Sequence, residues 1–193
     1  MRRGALLAGA LLAPLGWLLA AGGLGMTGHM AGHMIAVALA APLLAFGLSG
    51  SAVDPAARWP RPVTPLAMML VELVVVWVWH LPALRAAAQA LMVLALEQLS
   101  FLGAGFLLWA AVIHRPQRMA GVGALLLTSM HMTLLGVLIG LAPRPLYSDH
   151  VHGLDPLMDQ QLGGVVMLLS GAASYFIGGL ALLSSQLRQK GAA

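Results

Sequence analysis

The sequence contains no cysteine in 193 residues. That excludes disulfide frameworks, thiolate metal centres and haem attached through thioether bonds. Soft-metal chemistry would have to draw on the 12 Met and 7 His. Charge is scarce too: 8% of residues are Asp, Glu, Lys or Arg, against about 25% in soluble domains. No nucleophile elbow, Walker loop or HExxH signature occurs, so the chain is not expected to be an enzyme. Internal repeats and a separate soluble domain are also missing, and residues 1–193 read as one integral membrane domain. What fills the chain is apolar: 60% hydrophobic residues and a mean hydropathy of +0.90. This is the composition of a protein whose surface meets membrane lipid. The isoelectric point near 10.7 suggests nucleic acid at first sight. In a membrane protein the placement of basic residues says more than their sum, and no nucleic-acid partner is expected.

A membrane-crossing helix needs about 20 mostly apolar residues. Six stretches qualify, at roughly 5–24, 29–48, 65–81, 86–113, 119–141 and 161–186. The expected fold is therefore all-α, a polytopic membrane bundle of about six helices. Thr64 is a candidate N-cap with Pro65 at the first helical position. Between the stretches lie "SGSAVDPAARWPRPVTP", "HLPALR", "HRPQR" and the long loop "APRPLYSDHVHGLDPLMDQ". Arg2, Arg3, Arg58, Arg61, Arg115, Arg118, Arg188 and Lys190 all fall on one side of this topology, and only Arg85 and Arg144 on the other. The positive-inside rule then puts both termini in the cytoplasm. An alternative makes residues 1–23 a cleaved signal peptide.

The polar residues collect toward the outer half. In "GMTGHMAGHM", His29 and His33 stand four residues apart and share a helix face. Met26 and Met30 each precede one of them by three residues, and Met30 and Met34 form a second pair spaced by four. Thioether and neutral imidazole suit Cu(I), whereas Mg or Ca would want oxygen. Gly28 and Gly32 allow a neighbouring helix to come close, and that helix is expected to bring a partner ligand. His80, before Pro82, is either a third ligand or the cap of an ending helix. Trp77 and Trp79 fit an interfacial aromatic belt.

Glu97 is the costliest residue to bury in lipid. His131, placed at similar depth, is its expected partner, with Gln98 and Ser100 nearby. Glu72 is expected to pair with an inner arginine. In the outer loop, Asp149, His150, His152 and Asp155 read as a solvated segment rather than a divalent-ion site. Asp159 and Gln160 open the last helix, where Asp159 is expected to cap exposed N–H groups.

In their order along the chain, "HMAGHM", "APLLAFG", "WVWHLPAL", "LEQLSFLGAGFLLWAAV", "HMTLLGVLIGLAPRPLY" and "LMDQQLGGVVM" resemble the multi-span CtaG-type cytochrome c oxidase assembly factors, from about residue 26 to 175. The resemblance carries polar positions over to His29, His33, His80, Glu97, His131, Tyr147, Asp159 and Gln160. Two departures stand out. The family usually reads Leu-Glu-His, with another His four residues earlier, where this chain has Gln98 and Leu94. Many members also have a seventh helix.

What the resemblance implies is maturation of a haem-copper oxidase, an oxidase subunit as client, and a place in a bacterial inner membrane. Copper, as Cu(I), would sit on His29, His33, Met26, Met30 and His80, supported by Glu97 and His131. Two other functions compete. One is a b-type haem protein using His33 or His80 with His131. The other is a small proton or ion transporter using Glu97 and His131. Self-association remains open.

Overall fold

The computed structural model describes residues 1–114, 118–147 and 155–191. Arg115, Asp149, His150 and His152 lie outside the described residues. The regular elements among the described residues are helical. They are α1 (Arg2–Ala21), α2 (Gly25–Met34), a π-helical segment (Ile35–Ala40), α3 (Ala41–Leu48), α4 (Pro55–Arg58), α5 (Pro65–Trp79), α6 (Pro82–Ala87), α7 (Leu91–Ile113), α8 (Arg118–Gly140) and α9 (Pro156–Gly191).

Among the described residues, five stretches are long and apolar enough to cross a membrane: Arg2–Ala21, Gly25–Leu48, Leu91–Ile113, Met119–Gly140 and Pro156–Arg188. The chain is thus built as a multi-pass membrane protein. The sixth expected stretch, 65–81, is an apolar helix too but a shorter one: α5 has 15 residues. That is about 22 Å at 1.5 Å per residue, short of a ~30 Å hydrocarbon core. Its start is as expected, with Pro65 in the first turn and the Thr64 hydroxyl accepting from Ala67 N at 3.4 Å. Its end is set by Pro82, which pushes Leu81 into an extended conformation (φ −66°, ψ 132°). The chain restarts as α6, and α7 begins at Leu91 rather than near residue 86.

Polarity is arranged for lipid. Leu11, Leu18, Leu70, Val74, Leu134 and Leu169 are exposed, while His29, His33, Glu72, Glu97, Gln98 and Asp159 are buried. Ionisable groups in a membrane bundle turn inward because lipid offers them no partner. Helix–helix contact runs through glycine. A Cβ on Gly32 would come within 2.3 Å of the Gly16 carbonyl oxygen, and one on Gly164 within 2.6 Å of Gly140 N. Backbones meet directly at both places. The Gly28–Gly32 step therefore receives α1, which carries no histidine, methionine or acid beyond its N-cap Met1. The expected ligand-bearing neighbour is corrected accordingly.

The helix from Gly25 to Leu48 is continuous but changes winding at Ile35–Ala40. Pro42 explains this, since it has no N–H to return to a carbonyl one turn back. Ala41 N bonds Ala36 O, five residues back. The bypassed carbonyls find partners on α9: the Ser174 hydroxyl donates to Ala38 O (3.0 Å) and the Tyr175 hydroxyl lies 3.4 Å from Val37 O. Such outside donors are what make an irregular turn tolerable inside a membrane.

Candidate functional site

Three contacts gather one end of the bundle. Asp159, 1% exposed on α9, accepts from Met26 N at 2.6 Å and Thr27 N at 3.1 Å. The Thr27 hydroxyl donates back to Asp159 O at 3.0 Å. Asp159 thus caps α2, where free N–H groups and the helix dipole favour an anion. The expectation that it caps its own helix is corrected: Asp155 does that, accepting from Leu157 N and Met158 N. Gln160 closes α8 by donating to Ile139 O (3.1 Å) and accepting from Leu146 N (2.6 Å). Tyr147 donates from its hydroxyl to His80 O at 2.9 Å. Asp159, Gln160 and Tyr147 are therefore fasteners that hold the starts of α2 and α9 beside the end of α5.

Inside this frame, His29, His33 and His80 meet around Phe101. The ring centroids of His29 and His80 are 6.1 Å apart, and those of His33 and His80 5.4 Å. His33 stacks flat on Phe101 at 3.9 Å. All three imidazoles are at most 5% exposed. His80 follows α5, and its Nδ1 is 2.6 Å from Val76 O. A carbonyl only accepts, so Nδ1 carries the proton in this assignment, and Nε2 presents a lone pair. Nε2 faces Met30 Sδ at 3.4 Å. His80 is thus both the helix cap and a free donor atom, and the two alternatives for it are not exclusive. A nitrogen and a sulfur sharing one tetrahedral ion stand ~3.5 Å apart, from bond lengths of ~2.0 and ~2.3 Å. The Nδ1–H···O=C bond is also the support that metal-binding histidines commonly have.

His29 and His33 have no hydrogen bond at either ring nitrogen. Buried polar atoms are nearly always partnered, so four orphaned imidazole nitrogens in one place call for a ligand. Among the described residues, no three His, Asp or Glu side chains are close enough to hold a metal by themselves. A metal seat here requires the methionine sulfur.

Glu97 lies with its Oε2 3.7 Å from His29 Nδ1 and 3.4 Å from Gln98 Nε2. The expected Glu97–His131 pair is not formed. Both ring nitrogens of His131 lack hydrogen-bond partners, and His131 has no ring contact with His29, His33 or His80. The reason is the helix start. Because α7 begins at Leu91, Glu97 is only six residues in, about 9 Å from its end. His131 is nine residues from the end of α8, about 14 Å, and the two sit about a turn apart in depth.

Met26 is 1% exposed at the start of α2 and packs with Met30 over Gly163. Trp79 is half-buried and donates to the Ser100 hydroxyl (2.8 Å), so it turns toward α7 rather than serving only as a belt residue. Trp77 also packs against the core.

Two residues escaped the reading of the sequence. Phe101 forms the floor on which His33 lies, but one Phe in an apolar run gives no signal. Arg85, 6% exposed on α6, stands within electrostatic reach of His29 and His80. It lines a cavity of about 130 Å³ with Gly25 and Gln89 at the same end. Its isolation among the basic residues was the available signal.

A family model described as "Cytochrome c oxidase caa3 assembly factor (Caa3_CtaG)" matches residues 4–189. No curated protein and no solved structure matches the chain.

Proposed function

Since the chain belongs to the cytochrome c oxidase caa3 assembly factor family, we propose that it binds copper as Cu(I) and passes it to an oxidase subunit, with no catalytic turnover of its own. The copper is cargo. His80 Nε2 and Met30 Sδ form the seat, His29 or His33 adds a second imidazole, and Met26 adds a thioether at the mouth. Glu97 offsets the positive charge beside His29. Thioether and imidazole donors favour Cu(I) over hard cations. The observation that carries this reading is the set of four hydrogen-bond orphans on His29 and His33, next to a nitrogen–sulfur pair at 3.4 Å.

The arrangement also suits release. The site is close to the end of the bundle, and the start of α2 is fastened there by its cap on Asp159. On the positive-inside rule, this end faces outward from a bacterial inner membrane, with both termini inside. Copper would then be received and surrendered on the side opposite the cytoplasm.

The test is Cu(I) binding in detergent against a competing chelator, for the wild type, a His29→Ala/His33→Ala double variant and Met30→Leu. Weaker binding in both variants is expected, with helical content retained. Equal binding in all three would sink the assignment. In cells, deletion of the gene should lower oxidase activity, and added copper should restore it.

A further inference from the structure

A second polar cluster lies deeper in the bundle and has no part in the copper reading. Glu72 on α5 is 0% exposed. Its expected inner arginine is replaced by Tyr175 of α9, whose hydroxyl donates to Glu72 Oε1. Thr128 of α8, also 0% exposed, stands beside the same carboxyl. Two atoms remain without hydrogen bonds, Glu72 Oε2 and Thr128 Oγ1. Both are buried and adjacent, and the Thr128 hydroxyl can either donate to Oε2 or accept from it. The pair can be satisfied in two protonation states: Thr128 donates to an ionised Oε2, or a protonated Oε2 donates to Thr128 Oγ1.

We propose that Glu72, Thr128 and Tyr175 form a buried proton-binding site whose occupancy is read by the π-helical segment Ile35–Ala40. Tyr175 is the link. Its single O–H has two acceptors in reach, Glu72 Oε1 and, at 3.4 Å, Val37 O. It can donate fully to only one. When Oε2 is protonated and bonded to Thr128, the carboxyl is neutral and competes weakly for the phenol proton. Val37 O, freed by Pro42, then takes the phenol proton and the 3.4 Å contact shortens. When the proton leaves, the carboxylate holds the phenol through a charge-assisted bond, and Val37 O loses its partner. That orphaned carbonyl lies one turn beyond His33, in the same continuous helix.

Other ionisable groups on the neighbouring elements are few. Besides Tyr175, α9 carries Asp159, committed to the start of α2, and Arg188 near its far end, while α7 carries Glu97, which is committed to the His29 end. On α8, His131 is one turn from Thr128 toward that same end, with both ring nitrogens free of hydrogen bonds. Arg118 is at the far end of α8.

The experiment is infrared spectroscopy of the full chain in lipid across pH, with hydrogen–deuterium exchange of the peptide containing residues 35–41. A protonated-carboxyl C=O band should be present at neutral pH, vanish in Glu72→Gln and persist in Glu97→Gln. In Thr128→Val, a near-isosteric change, the band should shift because its hydrogen bond is gone. Exchange in 35–41 should rise as the band disappears with pH in the wild type, and be independent of pH in Tyr175→Phe. A band unchanged by Glu72→Gln at every pH overturns the proton site. Wild-type exchange that does not follow the band overturns the link to the π segment. Sodium-dependent loss of the band at fixed pH would likewise overturn it, by showing that the oxygens hold a metal cation. None of these readouts uses copper, so they stand or fall separately from the copper proposal.

Discussion

Replacing Asp159 with Ala removes one carboxylate and strands two N–H groups, the buried one of Met26 and the part-buried one of Thr27. A hydrogen bond to a charged group contributes about 1.5–3 kcal/mol, and the anion at a helix N-terminus adds about 0.5–1 kcal/mol. For two such bonds, discounted because they share one acceptor group, the expected loss is about 3–5 kcal/mol. Asp159→Asn keeps an acceptor without the charge and should recover about half. Asp155→Ala is the control: it removes an exposed cap of α9 and should cost clearly less. The assay is reversible unfolding in mixed micelles, following helical signal against denaturing detergent. Because Asp159 fixes the start of the helix that carries His29 and His33, Asp159→Ala should also weaken Cu(I) binding. Stability within about 0.5 kcal/mol of wild type, or a loss no larger than that of Asp155→Ala, would refute the cross-helix cap.

Gly32→Ala and Gly164→Ala should each prevent stable folding or cost at least about 1–3 kcal/mol, since the new Cβ meets backbone at 2.3 and 2.6 Å. Gly103→Ala, with open space around its Cβ, should be tolerated, and expression with thermal stability in detergent separates them. Gln160→Ala should cost about 2 kcal/mol by leaving Leu146 N and Ile139 O without their partner, read as a lower unfolding midpoint. Met30→Leu conserves volume, so it should leave the midpoint nearly unchanged while lowering Cu(I) affinity by an order of magnitude or more. A Met30→Leu protein that binds as wild type would show that the sulfur facing His80 is packing alone.

Much of the architecture was legible because lipid enforces simple rules. Apolar length marks a crossing helix, and Thr64–Pro65 marks a start, since both depend on a residue and its near neighbours. The misplaced boundary was of the same local kind but harder to see. Pro82 allows either a kinked helix or a restart, and nothing within "HLPALRAAAQALMV" says which. That choice moved the start of α7 and with it the depth of Glu97, so an error of five residues produced the wrong partner.

The sequence by itself determined that this protein lives in lipid, that its polar residues must turn inward, and that any soft-metal site must combine histidine with methionine. Those conclusions follow from composition and from helix periodicity. Only the tertiary structure decided which polar groups meet. Asp159 caps α2 across 133 residues, Tyr175 reaches Glu72 across 103, and His80 turns its free nitrogen to Met30 across 50. Each depends on how helices rotate and slide against one another, and here that is set by glycine contacts between backbones. A helix face can be read from spacing, but the face it meets belongs to another part of the chain.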